Sequence, residues 1–152
     1  SEPGGTGYAA FAGFPLDKTY YQTVKGMVTP LDIVEPGGTL IVASECAEGI
    51  GSAEFRASQA RLVELGPEAF LQSILPKRFA DVDEWQSEMQ LKSMRIADVQ
   101  RYSPALRGPD WYLTGVVAID SVDDAVRASI ARHGDGAVAV IPEGPYVIPQ
   151  TR

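Results

Sequence analysis

Short apolar runs bounded by glycine alternate along the chain with stretches whose apolar residues recur every three or four positions. The first run, Gly7 to Ala12, predicts a short buried strand. Tyr20, Val24, Met27, Val28 and Leu31 then recur at helical spacing, with Lys18, Gln22, Lys25 and Thr29 on the opposite stripe. That predicts an amphipathic helix. Pro36-Gly37-Gly38 turns the chain into "TLIVASEC", a near-continuous apolar strand of the kind covered on both faces. Ser52 is placed to cap a helix running toward Glu64. Gly66-Pro67 restarts the chain into a short helix through Phe70, Leu71, Ile74 and Leu75, stopped by Pro76. Asp81, with Glu84 three residues on, resembles a capping box for a helix carrying Trp85 and Met89.

Ile96 to Tyr102 predicts a further strand, and the loop "SPALRGPDWY" leads into "LTGVVAI", which reads as a buried strand. Ser121 and Asp124 open a helix whose apolar positions are Val122, Ala125, Val126 and Ile130, and Gly134 ends it. "AVAVI" is the last strand before a proline-rich tail. Strands alternating with helices predict one α/β domain over residues 1–152. The expected architecture is three-layer α/β/α on a largely parallel sheet of about five strands.

Composition narrows the partners. With 152 residues and 45% apolar side chains, the chain has material for one real core. Thirteen basic residues against twenty acidic ones give a net charge of −7, a field that a nucleic-acid backbone would have to overcome. No apolar run is long enough to span a bilayer and no signal segment opens the chain, so neither a membrane nor a nucleic acid is an expected partner. The single cysteine, Cys46, rules out an intrachain disulfide and points to a reducing, cytoplasmic setting.

Hydrolytic and metal chemistry find little material. The only histidine, His133, falls in the last turn of a helix, where an imidazole complements the dipole. Cys46 ends an apolar strand and reads as a small buried hydrophobe. No second cysteine or neighbouring histidine completes a zinc site, and no serine sits in a Gly-x-Ser-x-Gly elbow. Of two glycine-rich stretches, "GTGYAA" overlaps a predicted strand, whereas "GIGSAE" lies between a strand and a helix. Tight turning alone explains Gly49 and Gly51, although Glu54 would place a charge near any phosphate held there. The loops at Gly13 and Gly49 both follow strands, so they are expected on one carboxyl edge, where ligands of parallel sheets bind. Gln22 and Lys25, neighbours one helical turn apart, suit either a carboxylate or phosphate ligand or a plain solvated face.

A resemblance goes further than pattern. "AGFPLDKTYYQTVKGM" resembles the loop and helix that open the C-terminal domain of the lactate racemase family, the nickel-pincer-nucleotide enzymes. Gly13, Phe14, Pro15, Asp17, Tyr21, Gln22 and Lys25 match the family pattern, and Ala12 departs from it where glycine is common. "PGGTLIVASECAEGIGSAEF", "DEWQSEMQLK" and "AVAVIPEGPYVIP" are also similar, so the resemblance spans nearly the whole chain. It implies the C-terminal, lid domain of an isomerase, a racemase or epimerase of a 2-hydroxy acid working by reversible hydride transfer to a nickel-pincer nucleotide. An N-terminal domain would hold that cofactor and the acid–base histidines, so no catalytic or metal-binding residue is expected in this chain and the isolated domain is expected to be inactive. Tyr21, Gln22, Lys25 and Trp85 would contact cofactor or substrate. The loops of Gly13, Phe14 and Pro15 and of Gly49 and Gly51 would edge the cleft, and Trp111 would cover the sheet edge. The alternative is a non-catalytic α/β module that binds an anionic small molecule or a protein partner.

Overall fold

A computed structural model describes residues 7–11, 17–79, 81–106 and 108–142. Among these residues five parallel strands form one sheet: β1 (Gly7–Phe11), β2 (Thr39–Ala43), β3 (Asp98–Tyr102), β4 (Val117–Ala118) and β5 (Val138–Ile141), in the order β4-β3-β2-β1-β5. Five helices connect them: α1 (Tyr20–Val28), α2 (Ala53–Leu65), α3 (Pro67–Ile74), α4 (Glu84–Ile96) and α5 (Val122–His133). No helix among the described residues is long and apolar enough to cross a membrane.

The strand order dictates where the helices lie. From β1 to β4 the chain steps in one direction, so right-handed crossovers keep the connecting helices on one face. The return from β4 to β5 runs the other way, which sends α5 to the opposite face. Side-chain alternation agrees. Leu40 and Val42 join the core formed with Tyr20, Val24 and Met27 of α1, whereas Thr39, on the other face, meets His133 of α5 at 3.2 Å.

Local chemistry explains the helix starts. Thr19, Ser52 and Ser121 each accept from a backbone N–H three residues on, those of Gln22, Phe55 and Asp124. Gly134, at φ 67°, closes α5, and Gly66 separates α2 from α3 with Pro67 in the first turn. Glu84 reaches back to the N–H of Asp81 at 2.9 Å, the carboxylate half of a capping box, although Asp83 occupies the cap position itself.

Several expectations are corrected. "LTGVVAI" is not a buried strand. Trp111–Thr114 is a 3-10 turn, and only Val117 and Ala118 pair, on an exposed edge. Pro30 ends α1 early, so Leu31 lies in a 3-10 turn. Strand β2 stops at Ala43, and Cys46 lies beyond it in left-handed backbone at φ 52°. Ile96 closes α4 instead of opening β3.

The buried face of α4 differs most from expectation. Trp85 is 46% exposed, while Gln86, Ser87, Gln90 and Ser93 are buried. Apart from Gln86 Oε1, which has no partner among the described residues, these polar side chains satisfy one another and their neighbours. Ser87 pairs with Ser58 at 2.7 Å and donates to Gln59 Oε1 at 2.7 Å. Gln59 Nε2 donates to Gln90 Oε1 at 3.0 Å, and Tyr20 OH donates to the same oxygen at 2.9 Å. Gln90 Nε2 reaches the Thr114 carbonyl at 2.7 Å, and Ser93 reaches that of Met27 at 3.0 Å. A closed network of this kind offsets the desolvation that each group suffers.

Candidate active-site cleft

All strands are parallel, so their carboxyl ends share one edge, and the segments after β1 and β2 are laced together there. The N–H groups of Cys46 and Glu48 donate to the carbonyls of Asp17 and Lys18, at 2.6 and 2.8 Å. The N–H groups of Tyr20 and Tyr21, left free by the first helical turn, donate to the carbonyls of Gly49 and Ile50, both at 2.9 Å. The loop therefore serves as the partner for the start of α1.

Gly51 shows why this loop needs glycine. At φ 135° it lies under Tyr21, and an added Cβ would meet Tyr21 Cβ at 3.0 Å. Tyr21 is thereby held between elements. Its ring meets Phe55 edge-on at 5.1 Å and Trp85 edge-on at 6.3 Å, and its carbonyl accepts from Gln86 Nε2 at 2.8 Å. Lys25 Nζ stands 5.3 Å from the ring centroid, within cation–π range.

A cleft of about 370 Å³ opens beside this ring, lined by Thr19, Tyr21, Glu48, Gly51, Ser52 and Asp83. Burial pushes the Tyr21 phenol above its ordinary pKa, and the Asp83 carboxylate, to which it hydrogen-bonds, adds to the shift. The phenol thus stays protonated at neutral pH. Ser52 donates to the same carboxylate at 2.6 Å while capping α2. Asp83 sits in left-handed backbone at φ 62°, a conformation Asp tolerates better than most residues.

The predicted residues divide into three groups. Tyr21 and Gly51 line the cleft, Trp85 packs against the Tyr21 ring without lining the cavity, and Gly49 lies in the loop that supports it. Gln22, half-buried, and Lys25, exposed, stand beside Tyr21 on α1 but do not line the cavity. Gly13, Phe14 and Pro15 lie outside the described residues. Pattern reading missed Thr19, Glu48 and Asp83 as cleft residues. Asp83 had one usable signal, a short acidic residue just before a helix, where caps and turns concentrate.

Cys46 and His133 have structural surroundings. The Cys46 thiol is buried among hydroxyls, 3.4 Å from both Thr23 and Ser44 and 3.7 Å from Ser103. His133 faces Thr39 at the end of α5. Among the described residues no group of three His, Cys, Asp or Glu side chains is placed to hold a metal.

Comparison with known proteins gives one consistent answer. The family model described as "Lactate racemase C-terminal domain" matches residues 7–149. The chain is 28% identical over 144 residues to a lactate racemase of Thermoanaerobacterium thermosaccharolyticum, and 31% identical over 140 residues to one of Lactiplantibacillus plantarum. Each alignment covers 90% of this chain but 32% of the relative, so the chain spans about a third of their length. The solved lactate racemase apoprotein from T. thermosaccharolyticum superposes with a TM-score of 0.83 over 97% of this chain and 36% of that one, at 22% identity, a likeness of fold. On the match over residues 7–149, the chain belongs to the lactate racemase C-terminal domain family.

Proposed function

We propose that this chain is the C-terminal domain of a longer two-domain racemase or epimerase of a 2-hydroxy acid, and that it walls one side of the cleft between the domains. The observation that supports this most is the seat of Tyr21. Two segments distant in sequence, the loop carrying Gly51 and the start of α4 carrying Asp83 and Trp85, converge on a side chain inside the motif that resembles the family. A solvated helix face needs no such convergence.

In the whole protein a nickel-pincer nucleotide, held by the N-terminal domain, would supply reversible hydride-transfer chemistry at the substrate's α-carbon. The donor set of this chain fits a flank for that group better than a ligand shell. Aromatic edges and a neutral phenol, with a lysine beside that ring, are what the described residues offer there, and among them no cluster is suited to a metal. In this reading Tyr21 donates a hydrogen bond, with Asp83 orienting its phenol. Lys25 neutralises the substrate carboxylate, Gln22 supplies an amide beside it, and Trp85 closes the wall against water.

Hydrogen bonds to charged groups are worth about 1.5–3 kcal/mol, so Lys25→Ala in the full-length protein is expected to lower kcat/KM roughly ten- to a hundredfold. Lys18→Ala, whose lysine pairs with Glu48 at 3.3 Å on the surface, is the control and should change activity little. Unchanged activity in both variants would remove the proposal's basis. Racemase turnover by the isolated chain would contradict the division of labour between the domains.

A further inference from the structure

Away from the Tyr21 cleft, the same sheet edge carries a buried arginine that the proposed reaction does not use. Arg101, the penultimate residue of β3, is 3% exposed. Its Nε donates to Thr114 Oγ1 at 3.0 Å and its Nη2 to the Trp111 carbonyl at 3.1 Å, both neutral acceptors. Among the described residues no carboxylate pairs with it. Guanidinium keeps its charge in a protein interior, and an uncompensated buried charge is costly.

Arg101 also lines a cavity of about 360 Å³ at the carboxyl ends of β3 and β4, together with Ser103, Leu106, Trp111, Ile119 and Asp120. The position in the topology is distinctive. The chain leaves β3 toward β4 on the α1 face, but leaves β4 through α5 across the other face. The cavity thus lies at the carboxyl edge, where ligands of open parallel sheets bind, and its two strand ends send their connections to opposite faces.

We propose that this crevice is a second binding site, selective for a small organic monocarboxylate. The Arg101 guanidinium takes the carboxylate, for which its planar fork is suited. Leu106, Ile119 and the half-exposed ring of Trp111 take the apolar remainder. Asp120, exposed at the rim, and the net charge of −7 select against dianions such as phosphate. The site shares no lining residue with the Tyr21 cleft and does not depend on the racemase reading.

The test is a titration of the chain with sodium propionate, with inorganic phosphate and sodium chloride at matched ionic strength in parallel, followed by backbone amide and Trp111 indole NMR shifts. Propionate should give saturable shifts at Ser103, Trp111 and Asp120, and phosphate should bind severalfold more weakly. Arg101→Met should weaken propionate at least tenfold. Asp120→Asn, which leaves the buried hydrogen bonds of Arg101 intact, should tighten propionate and narrow the gap to phosphate. Shifts that match chloride, that centre on Thr19, Ser52 and Asp83, or that favour phosphate would overturn the proposal. If Arg101→Met fails to fold, Asp120→Asn decides, and an unchanged affinity there rejects the site.

Discussion

The two faces of the sheet are built to different standards. On the α1 face, Tyr20, Val24, Met27, Leu40, Val42, Phe55 and Val99 are buried in one core, and Ser58 and Gln59 of α2 are hydrogen-bonded to Ser87 and Gln90 of α4 along the polar seam. On the other face α5 buries only Ser129, and its apolar positions Val122, Ala125, Val126 and Ile130 are half-buried. The well-packed face is the one that carries Tyr21. A cleft residue keeps its geometry only if the elements behind it have no freedom to shift, and close packing supplies that rigidity.

The largest expected contrast is a pair of truncations. Phe55→Ala, on the α1 face and beneath Tyr21, should cost about 3–5 kcal/mol in a urea denaturation. Ile130→Ala, at a half-buried position of α5, should cost about 1–2 kcal/mol, since less surface returns to water. Equal costs would show that the two faces contribute alike.

Next in size is the polar seam. Gln90→Ala removes one acceptor from Tyr20 OH and from Gln59 and one donor from Thr114; Tyr20 OH keeps the Thr114 carbonyl at 3.1 Å and Gln59 keeps that of Leu113 at 2.9 Å, so the cost should be about 1–3 kcal/mol in the same measurement. Gln90→Leu should recover part of this by refilling the space, while the Gln59 N–H that loses its acceptor keeps the variant below the parent.

A third test uses pH. Burial alone would raise the pKa of Glu84, but Lys77, the Asp81 N–H and Arg61 together hold it below the ordinary carboxylate range. Its contribution is therefore complete above the unfolded value of roughly 4.3 and is lost as pH falls through the lowered folded value. Glu84→Gln should be less stable than the parent at pH 7, with the gap closing in acid. A gap that widens in acid would reverse the assignment. The smallest effect belongs to Ser121→Ala, which uncaps α5 at about 1 kcal/mol by thermal denaturation.

How much of this was legible follows from physics. Helix starts were readable because caps are local, as Ser52 and Ser121 show. The strands β1, β2, β3 and β5 were readable as apolar runs, and their parallel order followed from alternation with helices. The edge strand was not, because apolar composition predicts burial only where another layer covers the residue, and Val117 is 55% exposed. The buried face of α4 was hidden for the opposite reason. Gln86, Ser87, Gln90 and Ser93 look like a solvated stripe until α2 presents matching groups, a long-range fact. At the site, the motif pointed to Tyr21 and Trp85, but Asp83 and Arg101 owe their meaning to partners far along the chain. Arg101 left one trace, its alternation with Val99 on the inward side of β3.

The place of β1 has a consequence for how the molecule comes into being. It lies between β2 and β5, with Gly7 opposite Val138, so the earliest and latest strands must meet before the sheet is complete. During synthesis β1, α1 and β2 have what they need to associate, yet the other side of β1 keeps its hydrogen-bonding groups open until β5 has emerged. Pairing of such distant segments is slow, and a bare strand edge is a template for pairing with other chains. A chain halted before Val138 would expose that edge, which makes the last strand the element that guards the first against aggregation.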